Sequence, residues 1–374
     1  MMALPLNGHA PALGSYDPAD VQFLLRPIRM AVTEVVEKER RIQSGAAHYS
    51  EMLSPETAPS PAYMAIYQQA LAANGPRLAG HINLLSRQLL AWQSGDPQRQ
   101  LAIVSLARAG TPIGVLLKRA LARLGTAAAH YSISIIRGRG IDQAALRHIL
   151  ARHHSDDVVF VDGWTGKGAI ASELRGPLGP SALGVTPRLL VVADPAGVAD
   201  LAATGDDYLI PSGILNGVVS GLISRSVLPA AAGADDFHGC VRLDHLAAHD
   251  VSRAFVDIVD QLAAALSSEP YSQPDPWPWS SAERHALAQR CTVMLGFVEK
   301  DTGVTDRNRI KPGIAEATRA VLRRVPDRLY LGNTADPQLA HLVLLARERQ
   351  IRIEPLPPGS HYRAVAVIAQ MAGE

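Results

Sequence analysis

The most informative segment for the fold class is Val158-Val-Phe-Val-Asp-Gly-Trp-Thr-Gly-Lys-Gly-Ala-Ile170. Its four consecutive apolar or aromatic residues predict a buried parallel strand that ends at Asp162, and a glycine-rich turn then leads into a helix at about Lys167. Such a turn directs several backbone N–H groups into one small space at the positive end of a helix. We therefore predict a phosphate-binding turn, in which Asp162 is placed for ribose hydroxyls and Thr165 for the phosphate. The alternative is a βα turn whose glycines only make it tight.

At this segment the chain resembles the type I phosphoribosyltransferases, whose motif for phosphoribosyl pyrophosphate (PRPP) is an apolar strand, acidic residues and a Thr-Gly turn. The resemblance implies that Asp162 positions the ribose and contacts Mg2+ indirectly. Most members have two adjacent acids, whereas this chain has Asp162-Gly163. A P-loop that starts at Gly163 is excluded, because the required lysine would fall on Ala169. The PRPP-binding residues that the resemblance implies are Arg108, Ala109, Gly110, Asp162, Gly163, Trp164, Thr165, Gly166, Lys167 and Gly168.

The neighbouring segments alternate between strand and helix. Residues 101–106, 130–136 and 188–194 read as strands, helices follow each of them, and a short strand ends at Ile210. Continuous apolar strands in this order predict an α/β fold with a doubly wound parallel sheet, of phosphoribosyltransferase type by the resemblance. Ligands of such sheets bind at the carboxyl ends of the strands, where the loops 107–112, 137–142, 162–168 and 194–197 lie.

Two of these loops carry arginines suited to a departing diphosphate. Arg108 lies in a small-residue loop that resembles the pyrophosphate loop of the superfamily. Arg137 and Arg139, each followed by glycine, occupy the position of its mobile catalytic loop. Guanidinium groups there would neutralise charge as the C1–O bond breaks. The alternative is that both are solvated loop residues.

A narrower resemblance spans the chain to about residue 325. The segments that carry it are 14–25, 48–52, 162–168, 220–225, 236–239 and 311–314. Together they resemble the bacterial family named for the "cysteine protease StiP precursor", which is associated with tellurite-resistance and stress operons and is also described as phosphoribosyltransferase-like. The candidate residues for an unidentified acceptor, partly on this resemblance, are Tyr49, Glu51, Asn216, Arg225, Asp236 and His238.

The two cysteines test the protease name. A thiol protease needs a thiolate that a histidine activates. Cys240 has Asp236 and His238 close in sequence, but residues two and four apart in a short segment seldom reach that geometry. Cys291 falls within an evident helix and is expected to be a buried apolar residue. We therefore expect neither cysteine to be catalytic.

Composition favours an intracellular enzyme. The chain has 374 residues, a formal net charge of +1 and two cysteines. This charge argues against dominant nucleic-acid or membrane electrostatics, and two cysteines give no disulfide framework. No secretory signal or apolar run long enough to span a membrane is evident. We expect a cytoplasmic location and no membrane partner.

The domain boundaries follow composition. We predict a loose N-terminus at 1–16, a wholly helical hood at 17–98, the core at 99–265 and a linker with helical extension at 266–325. The hood is expected to be broken at Gly45, at Ser54 to Ser60 and near Gly75-Pro76. Residues 326–374 are predicted to form a small α/β module that resembles Pelota-like RNA-binding modules. The resemblance implies RNA contact, although a solvated basic face explains the basic residues of the module equally well.

The expected function is Mg2+-dependent transfer of phosphoribosyl between PRPP and a small-molecule acceptor. The alternatives are a cysteine protease and a nucleotide- or RNA-binding regulatory protein without turnover.

Overall fold

Two sheets organise the computed structural model, which describes residues 13–92, 99–229, 233, 235–267 and 279–371. The strands are β1 (Gln22–Phe23), β2 (Arg26–Pro27), β3 (Leu101–Leu106), β4 (Ala128–Ile133), β5 (Ile135–Ile136), β6 (Gly140–Ile141), β7 (Val158–Trp164), β8 (Leu189–Ala193), β9 (Leu201–Thr204), β10 (Gly239–Cys240), β11 (Ile310–Pro312), β12 (Pro326–Leu331), β13 (Arg352–Pro355) and β14 (Ala364–Ile368). The α-helices are α1 (Val35–Gln43), α2 (Pro61–Trp92), α3 (Gly110–Arg123), α4 (Gln143–Leu150), α5 (Ala169–Arg175), α6 (Ser252–Ser267), α7 (Ser281–Thr302), α8 (Ile314–Arg323) and α9 (Ala340–Glu348).

The larger sheet confirms the predicted fold class. Its strand order is β1-β4-β3-β7-β8-β9, and all neighbouring strands in this order pair in parallel. Strands β3 and β8 are buried at every position, as parallel strands covered on both faces must be. The chain reverses its direction of travel across the sheet between β3 and β7, so a crevice opens at their carboxyl ends.

The prediction of a wholly helical segment at 17–98 is wrong. Strand β1 joins the main sheet beside β4, and the predicted helix start at Asp17 is a turn in which Asp17 accepts a hydrogen bond from the backbone N–H of Ala19. The predicted break near Gly75-Pro76 is also wrong, because α2 continues through Pro76. A proline inside a helix costs about 3 kcal/mol, and the apolar face of α2, which buries Leu78, Ile82, Leu85 and Leu89, offsets this cost.

Around the central turn the lengths of the elements differ from those predicted. Strand β7 extends to Trp164, and α5 begins at Ala169 and has 7 residues. No helix lies between β8 and β9 in the described chain, and β9 ends at Thr204 rather than at Ile210. Asp194 replaces the missing helix as an organiser of this loop, because its carboxylate accepts hydrogen bonds from Thr165 and from the N–H of Ala199.

The smaller sheet, with order β11-β14-β12-β13, forms a C-terminal module with α8 and α9. Because β11 pairs antiparallel with β14, the module begins before residue 326, where the sequence analysis placed its start. The buried carboxylate of Asp207 ties it to the core by accepting hydrogen bonds from the N–H groups of Ile314 and Arg363, at 2.9 and 2.8 Å. Residues 268–278 of the predicted linker region at 266–325 lie outside the described residues, and so do residues 1–12 of the predicted N-terminus.

Even the longest helix, α2 with 32 residues, is not apolar enough to cross a membrane, and the same holds for the other described helices.

Gly110 fixes the approach of α3 to β7. A Cβ at this position would overlap the carbonyl oxygen of Val161 and lie 3.1 Å from the Cα of Asp162. We expect Gly110→Ala to lower the free energy of unfolding by about 2 kcal/mol or more, because backbone cannot yield to the new atom. The control is Gly80→Ala in α2, where a Cβ meets nothing within 4 Å. Alanine should stabilise that helix by up to about 1 kcal/mol. Urea unfolding of both variants measures the difference, and equal effects would contradict the packing account.

Candidate functional site

A cavity of about 290 Å3 lies at the carboxyl ends of β3 and β7. We call it the cationic pocket, because positive side chains dominate its described lining. The core, α1 and the C-terminal module all contribute walls. The charged lining residues are Lys38, Arg108, Arg137, Lys167, Arg225, Lys311, Arg319, Arg323 and Arg324, against Asp162 and Glu316.

The turn after β7 is covered by the C-terminal module. The Tyr362 hydroxyl donates to the carbonyl oxygen of Gly166 at 2.6 Å, and the Lys167 ammonium donates to the carbonyl oxygens of Arg307 and Ile310. A Cβ at Gly166 would lie 2.6 Å from Cγ of Glu316. The Thr165 hydroxyl points to Asp194 instead of the pocket. Two polar side chains of the turn, those of Thr165 and Lys167, therefore form hydrogen bonds within the protein.

Four of the arginines in the pocket have protein partners, and one of them, Arg137, donates to Asn308. Arg108 donates to Glu56 at 2.6 Å and to the carbonyl oxygen of Ile223 at 2.7 Å. Arg324 forms a double hydrogen bond with the buried carboxylate of Glu39 in α1. Arg225 donates to backbone carbonyl oxygens in the 49–52 segment. These contacts hold the walls of the pocket together, and they pair the carboxylates of Glu56 and Glu39 with Arg108 and Arg324.

Arg319 and Arg323 are different, because neither forms a side-chain hydrogen bond or an ion pair with a described residue. The Nε of each is buried without a partner, as is the Nε of Arg108. The Arg319 guanidinium stacks 4.5 Å from the ring centroid of Trp164. Burial and the neighbouring guanidinium groups, first that of Arg108, lower the pKa of Arg323 well below its usual range. Positive charge in this part of the pocket therefore exceeds the negative charge of the nearby carboxylates of Glu56, Asp162 and Glu316.

The pKa values of the three pocket lysines are lowered by burial and by the surrounding positive charge. Burial and repulsion from Arg225, Arg323 and Arg324 lower the pKa of Lys38 to about 6. Burial, with smaller repulsion from other cations, lowers the pKa of Lys167 to about 7 and that of Lys311 to about 8.

The pKa values of the two pocket carboxyls are shifted in opposite directions. Burial raises the pKa of Asp162 to about 7, although Arg319 opposes the shift. Burial also disfavours the charged form of Glu316, but the positive charges of Lys311 and Arg319, with those of nearby cations, outweigh it and lower its pKa. A carboxyl that titrates near neutrality beside an ionised one is the arrangement that general acid–base chemistry uses.

The structure gathers most of the predicted site residues. Those that line the pocket are Tyr49, Arg108, Ala109, Arg137, Asp162, Trp164, Thr165, Gly166, Lys167, Gly168 and Arg225. Those outside its lining are Glu51, Gly110, Arg139, Gly163, Asn216, Asp236 and His238. Asp236 pairs with Arg26 at 3.0 Å, and His238 shares a hydrogen bond of 2.8 Å with Ser134, so both serve other parts of the fold.

The arginine loop is held by the protein. Glu173 accepts hydrogen bonds from the N–H groups of Gly138 and Gly140, both at 2.9 Å. Arg139 pairs with Glu51, whereas Arg137 donates to Asn308 at 2.9 Å and reaches the pocket. Only the first of the two predicted catalytic arginines is therefore placed on the cavity.

Both cysteines are buried and free of disulfides. Burial raises the pKa of Cys240 to about 12. Burial also raises the pKa of Cys291, with partial opposition from a hydrogen bond to Tyr362. A thiol protease needs a thiolate at neutral pH, and neither thiol has that setting here.

Within the described residues no group of three or more His, Cys, Asp or Glu side chains could hold a metal ion. Among the described lining residues, Asp162 and Glu316 are the carboxylates that could contact Mg2+. Two carboxylates suit the sparse protein coordination of this ion, so the Mg2+ prediction stays a prediction.

Sequence reasoning missed the contributions of α1 and the C-terminal module: Lys38, Lys311, Glu316, Arg319, Arg323 and Arg324. A signal existed in α8, where Glu316, Arg319 and Arg323 follow helical spacing. No sequence pattern indicated that this helix would face the carboxyl end of a distant sheet.

Comparison with known proteins gives two family matches and one close relative. Residues 14–260 match the family described as "Tellurite-like stress resistance cysteine protease StiP", and residues 290–370 match the PELOTA RNA binding domain. A protein of Acinetobacter baylyi named cysteine protease StiP is 40% identical over 373 residues, which cover 96% of this chain and 94% of the relative.

Solved structures give weaker likenesses. One is the hypoxanthine phosphoribosyltransferase of Trypanosoma cruzi, 16% identical with a TM-score of 0.26, covering 34% of this chain and 66% of that one. Another, described as an analysis of an invariant aspartic acid in HPRTs, is 12% identical with a TM-score of 0.25, covering 35% and 77%. These TM-scores are too low to carry an argument.

The comparisons correct the expected function. A relative that matches nearly the whole chain is named a protease, whereas phosphoribosyl transfer from PRPP rested on partial motifs and the weak likenesses above. The transferase prediction is therefore wrong, and the findings favour the protease alternative. The narrower resemblance drawn from the sequence is confirmed: this chain belongs to the StiP family and has a Pelota-type module at its C-terminal end.

Proposed function

We propose that this protein is a hydrolytic enzyme whose active site is the cationic pocket and whose substrates carry negative charge. The name of the Acinetobacter relative supports hydrolysis. The observation that carries the location is the pair of pocket carboxyls: the pKa of Asp162 is raised to about 7 while Glu316 stays ionised. Perturbed groups that converge on a cavity are typical of active sites.

The roles follow from charge and position. Asp162 would accept a proton from an attacking water and return it to the leaving group, because its pKa lies near neutrality. Arg319 lies close enough to influence the pKa of Asp162, so it can stabilise negative charge that develops beside that carboxyl. The uncompensated cations would select an anionic substrate, such as an acidic peptide.

A thiol protease is the second candidate, and the family name favours it. Cys291 is the better placed of the two cysteines, since its thiol bonds to Tyr362, which contacts the turn after β7. Its raised pKa means that a rearrangement of the C-terminal module would have to expose the thiol before it could attack.

Peptide hydrolysis by four proteins separates the two candidates. We expect wild type to cleave labelled casein or acidic fluorogenic peptides, and Asp162→Asn to lower kcat by about 100-fold or more, since general acid–base catalysis contributes that much. The Cys240→Ala and Cys291→Ala variants should retain activity. Thermal unfolding serves as the control, because a neutral amide at a buried carboxyl of raised pKa should not destabilise the fold.

Loss of hydrolysis in Cys291→Ala with full activity in Asp162→Asn would replace the first candidate by the second. Absence of hydrolysis by wild type on every peptide tested would overturn both.

Stability against pH tests the electrostatics on which the proposal depends. The folded pKa of Lys38, about 6, lies below its unfolded value of 10.5. Between the two values the unfolded state binds the additional proton, so stability rises with pH. We expect the free energy of unfolding to rise between about pH 8 and pH 9, and Lys38→Met to reduce this slope by about 1.4 kcal/mol per pH unit. Urea unfolding measures it.

The control for this experiment is Lys300→Met, which removes an exposed lysine from α7. It should keep the wild-type slope. Equal slopes for wild type and Lys38→Met would show that Lys38 is not held neutral in the fold.

RNA contact by the C-terminal module is a further proposal, supported by its match to the Pelota RNA-binding domain. His341 is fully buried and cannot take part, whereas Arg347 and Arg352 are exposed. We expect the double variant Arg347→Glu/Arg352→Glu to weaken binding of a single-stranded RNA. For this variant the slope of log K against log salt concentration should decrease in magnitude by about 1.4, which is about 0.7 for each lost phosphate contact. Arg152→Glu, on the core, is the control; equal behaviour of the two variants would contradict RNA contact by this face.

A further inference from the structure

The exposed face of α8 is charged and is turned to the cationic pocket. Glu316, Arg319 and Arg323 recur at i, i+3 and i+7, which places them along one side of the helix. The opposite side packs into the module, where Thr318 shares a hydrogen bond of 2.7 Å with His341. Asp207 holds the first turn through the N–H of Ile314. The arginines therefore project from a helix that is fixed at its start and along its buried side.

Arg323 has no counter-ion among the described residues. Among the acids, Glu56 acts most strongly on its pKa, but this carboxylate is already paired with Arg108 and also accepts a hydrogen bond from the N–H of Gly217. The other groups that act most strongly on its pKa, Arg108, Arg319 and Arg225, are positive, and the negative charge of Glu316 also acts on Lys311 and Arg319. A half-buried guanidinium with a buried, unpartnered Nε is costly in a free protein, and an anion that enters the pocket would remove that cost.

We infer that α8 carries a binding site for a phosphate-type oxyanion, centred on Arg323 and flanked by Arg319 and Lys38. The inference rests on the proposed function, because it names the anionic group by which substrates are held there. The site is separate from the turn after β7, which the C-terminal module covers. It is built by two parts of the chain, with Lys38 in α1 and the arginines in α8.

Phosphate chemistry fits this arrangement better than a carboxylate. A carboxylate carries one charge and two oxygens, whereas a phosphate monoester carries up to two charges and three acceptor oxygens, and guanidinium forks match its geometry. A cavity of about 290 Å3 admits a small molecule or a single phosphorylated side chain. A phosphorylated peptide or a small phosphate ester are two sources of this same group.

Occupation of the site should also take up a proton. Lys38 is held neutral by burial and by the charges of Arg225, Arg323 and Arg324. An anion beside Arg323 offsets those charges and raises the affinity of Lys38 for its proton. At a fixed charge of the ligand, binding between about pH 7 and pH 8 is therefore expected to absorb a proton at Lys38, and to weaken as pH rises.

The test is calorimetric titration of the full chain with inorganic phosphate and, separately, with malonate as a dicarboxylate. We expect phosphate to bind wild type and Arg290→Gln equally, the latter being an exposed arginine of α7. Arg323→Gln should bind phosphate about 10- to 100-fold more weakly, the usual effect of removing a charged hydrogen-bond partner. Arg323→Lys should lie between them, since it keeps the charge without the fork. Proton uptake, measured in buffers of different ionisation enthalpy, should be smaller in Lys38→Met than in wild type, while Lys167 and Lys311, whose pKa values are about 7 and about 8, continue to contribute.

Unchanged phosphate affinity in Arg323→Gln, with wild-type binding intact, would place the anion elsewhere and overturn the inference. Malonate binding as tight as phosphate binding would overturn its chemistry, as would absence of binding to wild type. Phosphoserine peptide and glucose 6-phosphate, titrated next, distinguish the two sources by which binds more tightly. Because these measurements need no turnover, they are independent of the Asp162→Asn activity assay that tests the proposed function.

Discussion

The cationic pocket depends on one contact, the docking of the C-terminal module onto the turn after β7. The Tyr362 hydroxyl and the Lys167 ammonium close this contact, while Asp207 binds two backbone N–H groups of the module from the core side. Once the module is in place, α8 becomes a wall of the crevice between β3 and β7. The same contact buries Lys167 and Lys311, so their charges become expensive and their pKa values fall.

The pocket that results has more positive charge than the protein neutralises. Glu39 and Glu56 are committed to Arg324 and Arg108, which leaves Arg319 and Arg323 without carboxylate partners. Unpaired cations around a small cavity are destabilising in the free chain. A fold that keeps them gains affinity for an anion, since the ligand completes pairs that the protein leaves open. This relation connects the stability of the free protein to its ligand.

The family name and the thiol chemistry point in different directions. The relative is named a cysteine protease, yet Cys240 lies in a small apolar cluster with Leu25 and Ile223, where burial holds its thiol protonated. Cys291 packs within the interface between α7 and the C-terminal sheet. An attack by either sulfur would require that packing to open, whereas Asp162 already faces the cavity. This difference in burial is the reason for which we propose hydrolysis without a thiol.

The sequence by itself determined the local elements of the core and the positions of several pocket residues. Apolar runs such as 101–106 and 158–161 can only be buried strands in an α/β chain, and loops at their carboxyl ends must meet at one edge of the sheet. That reasoning placed Arg108, Asp162 and Lys167 correctly on one cavity. It failed for α2, where burial of an apolar face overrides the helix-breaking tendency of Pro76. Tertiary structure alone decided the other half of the site, because Lys38 and Arg323 are 285 positions apart in the chain and meet only when the module docks. Local periodicity reports which face of a helix is polar, but the partner of that face is chosen by packing between distant segments.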